Sequence, residues 1–153
     1  MRLRIVSGGQ TGVDRAALDV ALELQWPCGG WCPRGRKAED GVISARYPLQ
    51  QTSSSKYVQR TRWNVRDSDG TLIIAVGPLT GGTAYTQRCT EHQSKPLFVV
   101  DLARSRAIMP VVRWIESERI RTLNVAGPRE SSQSGIGRRA ATFLRRLCAR
   151  LAD

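Results

Sequence analysis

Lysine, acidic residues and histidine are all scarce in this sequence. Its 153 residues include 24 lysines and arginines, 13 aspartates and glutamates and one histidine, which gives a net charge of +11. Only Lys37, Lys56 and Lys95 are lysines, and the other 21 cationic side chains are arginines. The planar guanidinium of arginine favours bidentate contacts with phosphate. The composition therefore indicates an anionic partner and leaves open which anion it is.

Long hydrophobic runs are missing as well. The longest, at residues 71–76 and 97–100, have the length of strands, whereas a membrane-spanning helix needs roughly 18 apolar residues or more. Arg2 and Arg4 are followed only by Ile5, Val6 and a Ser-Gly-Gly-Gln turn, which is not the pattern of a secretory signal. We expect a cytoplasmic protein that does not associate with membranes.

The four cysteines, at positions 28, 32, 89 and 148, are then expected to be free thiols, because the cytoplasm keeps cysteine reduced. Cys28, Cys32, Cys89 and His92 are residue types that bind zinc, but only Cys89 and His92 have the ordinary spacing of a ligand pair. We expect no metal site. The sequence assigns no role to Cys28, Cys32 or Cys89.

Short β-rich runs alternate with helical patterns along the chain, and the composition is that of an ordinary globular protein, with 41% hydrophobic and 24% charged residues. This alternation predicts one three-layer α/β/α domain over residues 1–153, with a mostly parallel sheet of about five or six strands. The predicted strands are 3–7, 29–33, 71–76, 97–101 and 122–126. The predicted helices are 12–25, 56–67, 82–93, 110–118 and 135–151, and 34–55 is predicted to be a long loop. The pattern does not determine the order of the strands.

Three strand-to-helix junctions consist largely of small residues, at 7–14, 77–83 and 126–131. In a parallel sheet such junctions share the carboxyl edge, where ligands bind. Glycine lets the backbone approach an anion closely, and the helix N terminus behind it supplies unpaired N–H groups. We prefer this anion cradle to plain turn chemistry, which is the alternative. The candidate contacts are Gly8, Gly9, Gln10, Thr11 and Gly12 in the first junction, Gly81, Gly82 and Thr83 in the second, and Gly127 in the third.

None of these junctions is a standard fingerprint. The first lacks the G-x-G-x-x-G spacing and no G-x-x-x-x-G-K-[ST] occurs, so dinucleotide and P-loop triphosphate sites are disfavoured. On the second predicted helix and just beyond it, Tyr57, Thr61, Asn64 and Ser68 form a stripe of uncharged polar groups, where a solvated face would more often carry Lys and Glu. Asn64 and Ser68 are therefore further candidates for contacts with a phosphorylated ligand.

Several of these segments together resemble the molybdenum carrier family. They are Ser-Gly-Gly-Gln-Thr-Gly-Val-Asp-Arg-Ala at 7–16, Gly-Trp-Cys-Pro-Arg-Gly-Arg-Lys-Ala-Glu-Asp-Gly at 30–41, Arg-Thr at 60–61 with Asn-Val at 64–65, Ser-Asp-Gly-Thr-Leu-Ile at 68–73, Gly-Gly-Thr at 81–83 and Leu-Asn-Val-Ala-Gly-Pro-Arg-Glu at 123–130. The resemblance spans nearly the whole chain. It implies a Rossmann-like fold, related by circular permutation to that of the lysine-decarboxylase-like and cytokinin-activating proteins.

The resemblance also implies a homo-oligomer that holds an anionic ligand at the glycine-rich edge. In characterised relatives this ligand is the molybdenum cofactor, molybdopterin, a pterin with a dithiolene and a terminal phosphate. Besides the first two glycine loops, the basic turn with Arg34, Arg36 and Lys37 is a sensible place to grip a phosphate or molybdate oxygens, and a solvated turn is its alternative. Four tryptophans fit either an oligomer interface or the core: Trp26, Trp31, Trp63 and Trp114.

One departure from the cytokinin-activating enzymes bears on catalysis. Their P-G-G-x-G-T-x-x-E motif ends in a glutamate that assists cleavage of the glycosidic bond, and Thr86 stands at that position here. A hydroxyl without a neighbouring base cannot do the work of a carboxylate near neutral pH. We therefore expect a carrier that performs no chemistry on its ligand. The alternative is a nucleotide N-glycosidic hydrolase or transferase that uses Asp14 or Glu130 instead.

A nucleic acid is the third candidate partner. Arg60, Arg62 and Arg66 alternate with Tyr57 and Trp63, as cations and aromatic rings do in proteins that bind single strands. The other arginines are scattered along the chain, however, and no nucleic-acid-binding motif occurs. We rank this function below the binding of a small phosphorylated ligand.

Overall fold

The computed structural model describes all 153 residues, as nine strands and five helices. The helices are α1 (Val13–Glu23), α2 (Tyr57–Arg66), α3 (Gly81–His92), α4 (Met109–Ser117) and α5 (Ile136–Ala152). The strands are β1 (Arg4–Val6), β2 (Cys28–Gly29), β3 (Trp31–Cys32), β4 (Lys37–Ala38), β5 (Gly41–Val42), β6 (Gln50–Gln51), β7 (Gly70–Ala75), β8 (Leu97–Asp101) and β9 (Thr122–Ala126). None of the helices combines the length and the apolar character that crossing a membrane requires.

Five strands form the central sheet in the order β2-β1-β9-β7-β8, and every neighbouring pair is parallel. All six residues of β7 are buried, as expected for a strand with both faces covered. Leu72 and Ile74 of β7 belong to the main core, together with apolar residues of α1, α4 and α5. On the opposite face of the sheet, Thr71 meets Asn124 of β9, and α2 packs against α3. The predicted α/β class with a parallel, Rossmann-like sheet is confirmed.

The strand predicted at 29–33 is wrong, because two short strands in different sheets replace it. Cys28–Gly29 pairs with β1 of the central sheet, whereas Trp31–Cys32 pairs with β6. Between them Gly30 has a φ of +130°, and a Cβ at this position would lie 2.3 Å from the carbonyl oxygen of Ser7. Only glycine permits this backbone shape and this close approach. The chain therefore turns out of the central sheet at Gly30.

The long loop predicted at 34–55 contains three of the short strands and has a small core of its own. Strands β4 and β5 form an antiparallel pair and β6 joins β3. Ile43, Tyr47 and Leu49 pack with Cys32, Ala38 and Leu18 of α1. The Arg36 guanidinium donates hydrogen bonds to four carbonyl oxygens of this segment, at 2.7–3.2 Å. Two-residue strands leave no periodicity in the sequence, so pattern analysis does not detect them.

Candidate functional site

A cavity of about 530 Å³ opens at the carboxyl ends of β1, β9 and β7. From β1 the chain continues outward to β2, and from β7 it continues outward to β8 on the other side, so the connections diverge around β9. A crevice of this kind is where open α/β sheets bind ligands. We call it the edge cavity; its polar lining includes Gly8, Gln10, Asp14, Tyr57, Arg60, Thr61, Asn64, Gly81, Gly82, Thr83, Thr86, Arg88, Asn124, Gly127 and Arg129.

The N terminus of α3 forms one end of the edge cavity and is uncapped. Thr80 makes no side-chain cap, and the first backbone N–H of this helix to find an acceptor is that of Ala84, which donates to Thr80 O at 3.2 Å. A Cβ added at Gly81 or Gly82 would meet no atom within 4 Å. The first-turn N–H groups of Gly81, Gly82 and Thr83 thus lack acceptors, and these residues line the cavity, as an anion site at a helix N terminus requires.

Thr83 adds a second feature to the same end of the edge cavity. Its side chain is 8% exposed, and its hydroxyl has no hydrogen-bond partner in the protein. The hydroxyl is still reached by solvent, because the one buried side-chain atom without a hydrogen-bond partner is Arg15 Nε. An oxyanion bound at Gly81 and Gly82 would supply the missing partner.

The first glycine junction engages two of its amides internally, while Gly8 N–H has no acceptor in the protein. Gly9 N–H donates to Ser7 Oγ at 3.4 Å, and Gln10 N–H donates to Asp14 Oδ2 at 3.3 Å. The Asp14 carboxylate thus lies at the start of α1 and acts as an internal anion there. A Cβ at Gly12 would lie 2.3 Å from Pro128 O, so this glycine allows two loops to pack together. Gly8 and Gln10 line the edge cavity, whereas Gly9, Thr11 and Gly12 do not.

Helix α5, which follows the third junction, likewise has an internal carboxylate at its start. Glu130 accepts hydrogen bonds from the N–H groups of Gly135 and Gly137 at the start of α5, at 3.0 and 2.7 Å. A Cβ at Gly127 would lie 2.2 Å from Ile74 O, so this glycine permits a close backbone crossing at the floor of the cavity. Glu130 is outside the lining and Gly127 is part of it. Of the three helix N termini at this edge, that of α3 is the one without an internal carboxylate.

Asp14 is the only carboxylate in the lining of the edge cavity. Its Oδ2 lies 3.7 Å from Arg60 Nη1, and both side chains are largely buried. Arg60 also donates to Gly8 O at 3.1 Å and lies over the ring of Tyr57, 5.2 Å from its centre. Burial raises the pKa of Asp14 to about 6, against the opposing effects of Arg60, the Gln10 N–H and Arg15. Asp14 is therefore ionised at neutral pH and becomes protonated in mild acid.

The basic turn lies outside the edge cavity. None of Arg34, Arg36 and Lys37 is part of the lining. The Arg36 guanidinium donates its hydrogen bonds to carbonyl oxygens of its own segment. Lys37 Nζ lies over the Tyr57 ring, 5.4 Å from the ring centre. The cations that do line the cavity are Arg60, Arg88 and Arg129. They exceed the single carboxylate, so the lining carries a net positive charge.

The polar stripe on α2 divides between the site and the fold. Asn64 lines the edge cavity, but its amide accepts from Trp31 N and donates to Trp31 O, at 2.8 and 2.9 Å. Ser68 is outside the lining and donates to Asn64 O at 2.7 Å. Thr86 lines the cavity, and its hydroxyl donates to Gly82 O at 3.1 Å. No carboxylate lies at the position that glutamate holds in the cytokinin-activating motif.

Asn124, Arg88 and Arg129 are lining residues that sequence analysis missed. Asn124 is 3% exposed in the middle of β9, and its side-chain nitrogen donates to Thr71 Oγ1 at 3.2 Å. A polar residue inside an otherwise apolar strand was the available signal. Arg129 lies in the third glycine junction, which was its signal, whereas Arg88 had none, because arginines occur throughout this chain.

Other candidate features lie elsewhere in the molecule. All four cysteines are free thiols, and no group of three or more His, Cys, Asp or Glu side chains could hold a metal ion. Trp26 belongs to the main core, whereas Trp31 and Trp63 are half-buried and contact each other edge to face. Arg62, Trp63 and Arg66 line a second, shallower depression against α3, which does not include Arg60.

Comparison with known proteins agrees with this architecture. The model of the circularly permutated YpsA SLOG family, cpYpsA, matches residues 5–148. The crystal structure of a "Putative molybdenum carrier protein" from Syntrophus aciditrophicus SB is 43% identical, with a TM-score of 0.93 over 95% of this chain and 94% of that chain. No curated protein gives a significant match. The resemblance drawn from the sequence is thereby confirmed, and the chain belongs to the circularly permutated YpsA SLOG family.

Proposed function

We propose that this protein binds a phosphorylated small molecule in the edge cavity and carries it without chemical change, and that the molybdenum cofactor is its cargo. The observation that carries the proposal is the uncapped N terminus of α3 with the unpartnered hydroxyl of Thr83. The name of the 43%-identical structure, a molybdenum carrier, supports the choice of cargo.

The chemistry of the lining fits such a ligand. Free N–H groups at Gly81, Gly82 and Thr83 form a cradle for the terminal phosphate, and the helix dipole favours negative charge there. Arg60, Arg88 and Arg129 supply positive charge around a single carboxylate. A volume of about 530 Å³ lies within the range of small-molecule sites. The protein's own contribution is to bind and shield the cargo.

A carrier is favoured over an enzyme by the position of Thr86. Its hydroxyl is hydrogen-bonded to Gly82 O, and no base adjoins it that could activate it. The remaining carboxyl group, Asp14, follows β1, two strands away from the β7 junction that leads into α3. Cleavage of a glycosidic bond beside the phosphate cradle therefore lacks the acid that the related enzymes use.

Asp14 nevertheless favours a second candidate function, hydrolysis of the N-glycosidic bond of a nucleotide. A buried carboxyl group in a cleft with a pKa of about 6 is suited to general acid or base catalysis near neutral pH. Glu130, the other acid considered, lies outside the cavity with both oxygens engaged at the start of α5.

Binding of purified molybdopterin to the full chain, followed by equilibrium fluorescence, tests the carrier function. Thr83→Val removes one donor with little change of shape, and Gly82→Ala places a methyl group in the open space of the cradle. Both variants should weaken binding about tenfold, the effect of losing or obstructing one contact with a charged group. Thr90→Val is the matched control: Thr90 is buried in the same helix but is not part of the lining. Equal affinity for molybdopterin in the wild type and all three variants would show that the N terminus of α3 does not bind the phosphate.

Incubation with nucleoside monophosphates distinguishes the two functions. We expect no free base above the uncatalysed background. Release of base at an enzymatic rate, abolished by Asp14→Asn, would replace the carrier function with the hydrolase.

The proposal includes self-association, which the family resemblance implies. Light scattering coupled to size-exclusion chromatography measures the mass of the particle. A monomeric mass at the protein concentrations used for binding would contradict self-association.

A further inference from the structure

We infer that Gln10 and Asp14 recognise the ring of the ligand, and that this ring presents a carbonyl oxygen, a ring N–H and an amino group side by side, as guanine and pterins do. The inference rests on the proposed function, since it concerns the end of the edge cavity that lies away from the phosphate cradle.

Gln10 supplies a free donor of defined orientation. Its Oε1 accepts hydrogen bonds from the N–H groups of Thr11 and Glu39, at 3.1 and 2.9 Å. Two backbone donors on one atom identify that atom as the oxygen, so the other is the nitrogen. Nε2 has no partner in the protein, although Gln10 is only 8% exposed and lines the edge cavity. Nε2 is still reached by solvent, since Arg15 Nε is the one buried side-chain atom that lacks a partner, and an acceptor on the ligand can take the place of water there.

Asp14 supplies a free acceptor in the same cavity lining. Its Oδ2 accepts from Gln10 N–H and faces Arg60. Its Oδ1 has no donor in the protein, and the side chain is buried to a similar degree as that of Gln10. The bond from Gln10 backbone N–H to Asp14 Oδ2 holds the two residues together, and both of them line the edge cavity.

A ring edge with a carbonyl oxygen followed by two donors complements this pair. The carbonyl oxygen accepts from Gln10 Nε2, and the ring N–H and amino group donate to the Asp14 carboxylate. Adenine has an amino group in place of the carbonyl and an unprotonated nitrogen in place of the ring N–H. The adenine amino group would face the Gln10 donor and the unprotonated ring nitrogen would face the Asp14 carboxylate, so neither hydrogen bond could form and adenine is disfavoured.

The spacing of the two ends agrees with a phosphorylated ring compound. The cradle follows β7 and the Gln10–Asp14 pair follows β1, with β9 between them. Two strand spacings amount to about 10 Å. A phosphate joined through a linker of the size of one sugar or pyran ring to a bicyclic ring spans this distance. Guanine nucleotides and phosphorylated pterins share this design.

Titration calorimetry with four probes tests the inference: GMP, neopterin monophosphate, IMP and AMP. We expect GMP and neopterin monophosphate to bind about ten- to a hundredfold more tightly than AMP, the effect of hydrogen bonds to a charged group. IMP lacks the amino group and should fall between GMP and AMP. The comparison of GMP with neopterin monophosphate shows which of the two classes is preferred.

Asp14→Asn gives a sharper readout. The asparagine oxygen keeps the bond from Gln10 N–H, and its amide nitrogen places a donor where Asp14 has a free acceptor. We expect this variant to lose at least tenfold in GMP affinity and to prefer XMP, whose 2-oxo group is an acceptor. A merely structural role for Asp14 would not exchange one ligand preference for another. Gln10→Glu retains an acceptor for both backbone N–H groups but has no donor for the ring carbonyl, so it should also lower the affinity for GMP.

The outcomes separate this inference from the proposed function. Equal binding of GMP and AMP, with a ratio unaffected by Asp14→Asn, would overturn ring recognition. If Thr83→Val lowers the affinity for both GMP and AMP in that case, the phosphate cradle is supported even though ring recognition is not. If none of the four probes binds to the wild-type chain, ring recognition is overturned, and the titration with molybdopterin decides the proposed function separately.

Discussion

Replacing Asp14 with asparagine is expected to stabilise the folded chain at neutral pH. Burial raises the pKa of Asp14 from 3.8 to about 6, which means that the ionised carboxylate is less favourable in the folded chain than in the unfolded chain. Each pKa unit is worth 1.36 kcal/mol, so the ionised form costs about 3 kcal/mol of folding free energy at pH 8. A neutral asparagine avoids most of this cost, and the attraction of Arg60 is already included in it.

The effect has a definite dependence on pH. A raised folded pKa contributes stability that is fully present below 3.8 and is lost as the pH rises through about 6. The free-energy difference between Asp14→Asn and the wild type should therefore be near zero at pH 4 and grow to about 3 kcal/mol at pH 8. A site residue retained at a cost in stability is the usual sign of selection for function.

Urea unfolding at pH 4, 6 and 8 measures this difference. Asp40→Asn is the control of opposite sign, because the hydrogen bond from Arg15 lowers the pKa of Asp40. That variant should be less stable than the wild type by nearly the same amount at pH 4, 6 and 8, because the folded pKa of Asp40 lies below 3.8 and its contribution is lost only in stronger acid. An Asp14→Asn variant that is no more stable than the wild type at pH 8, or whose difference does not vary with pH, would refute the reasoning.

Three further predictions follow from other contacts. Asn64→Ala leaves the half-buried N–H and carbonyl of Trp31 without partners and should lower the free energy of unfolding by about 1–3 kcal/mol, measured by urea unfolding. A loss below about 1 kcal/mol would mean that water replaces the amide. Gly12→Ala should cost about 2 kcal/mol or more, because its φ is +80° and its Cβ would lie 2.3 Å from Pro128 O. A Cβ at Gly82, by contrast, has open space, so Gly82→Ala should change the free energy of unfolding by less than about 1 kcal/mol. Similar thermal unfolding of the Gly12→Ala and Gly82→Ala variants would contradict the close packing argued for Gly12. The affinity for GMP should fall only modestly as the salt concentration is raised, because much of the binding depends on backbone N–H groups. Tight binding of a single-stranded oligonucleotide with a steep salt dependence would instead indicate a nucleic-acid-binding function.

The fold class was accessible from the sequence because it depends on local patterns. The apolar run at 71–76 and the alternation with amphipathic helices sufficed to predict a parallel sheet. The helical spacing on α5 leaves Ile136, Ala140 and Phe143 buried, as predicted. The order of the strands and the departure of the chain at Gly30 were not accessible, because both depend on contacts between residues that are distant in the chain.

The candidate site was accessible only in outline. Glycine-rich junctions pointed to the edge of the sheet at which the edge cavity opens, yet they could not show which of their amides are free. That depends on Asp14 and Glu130, whose carboxylates reach back to the N termini of α1 and α5. Arg36 belonged to a plausible basic turn, but its donors are engaged by carbonyl groups of its own segment.

By itself the sequence determined the α/β class, the family and the edge at which a ligand is expected, because periodicity and short motifs are properties of neighbouring residues. Only the tertiary structure decided that α3 has the open N terminus, that Arg60, Arg88 and Arg129 line the cavity, and that Gln10 and Asp14 stand together with one free donor and one free acceptor. The physical reason is that a hydrogen-bonding group is free or satisfied according to what the folded chain places beside it.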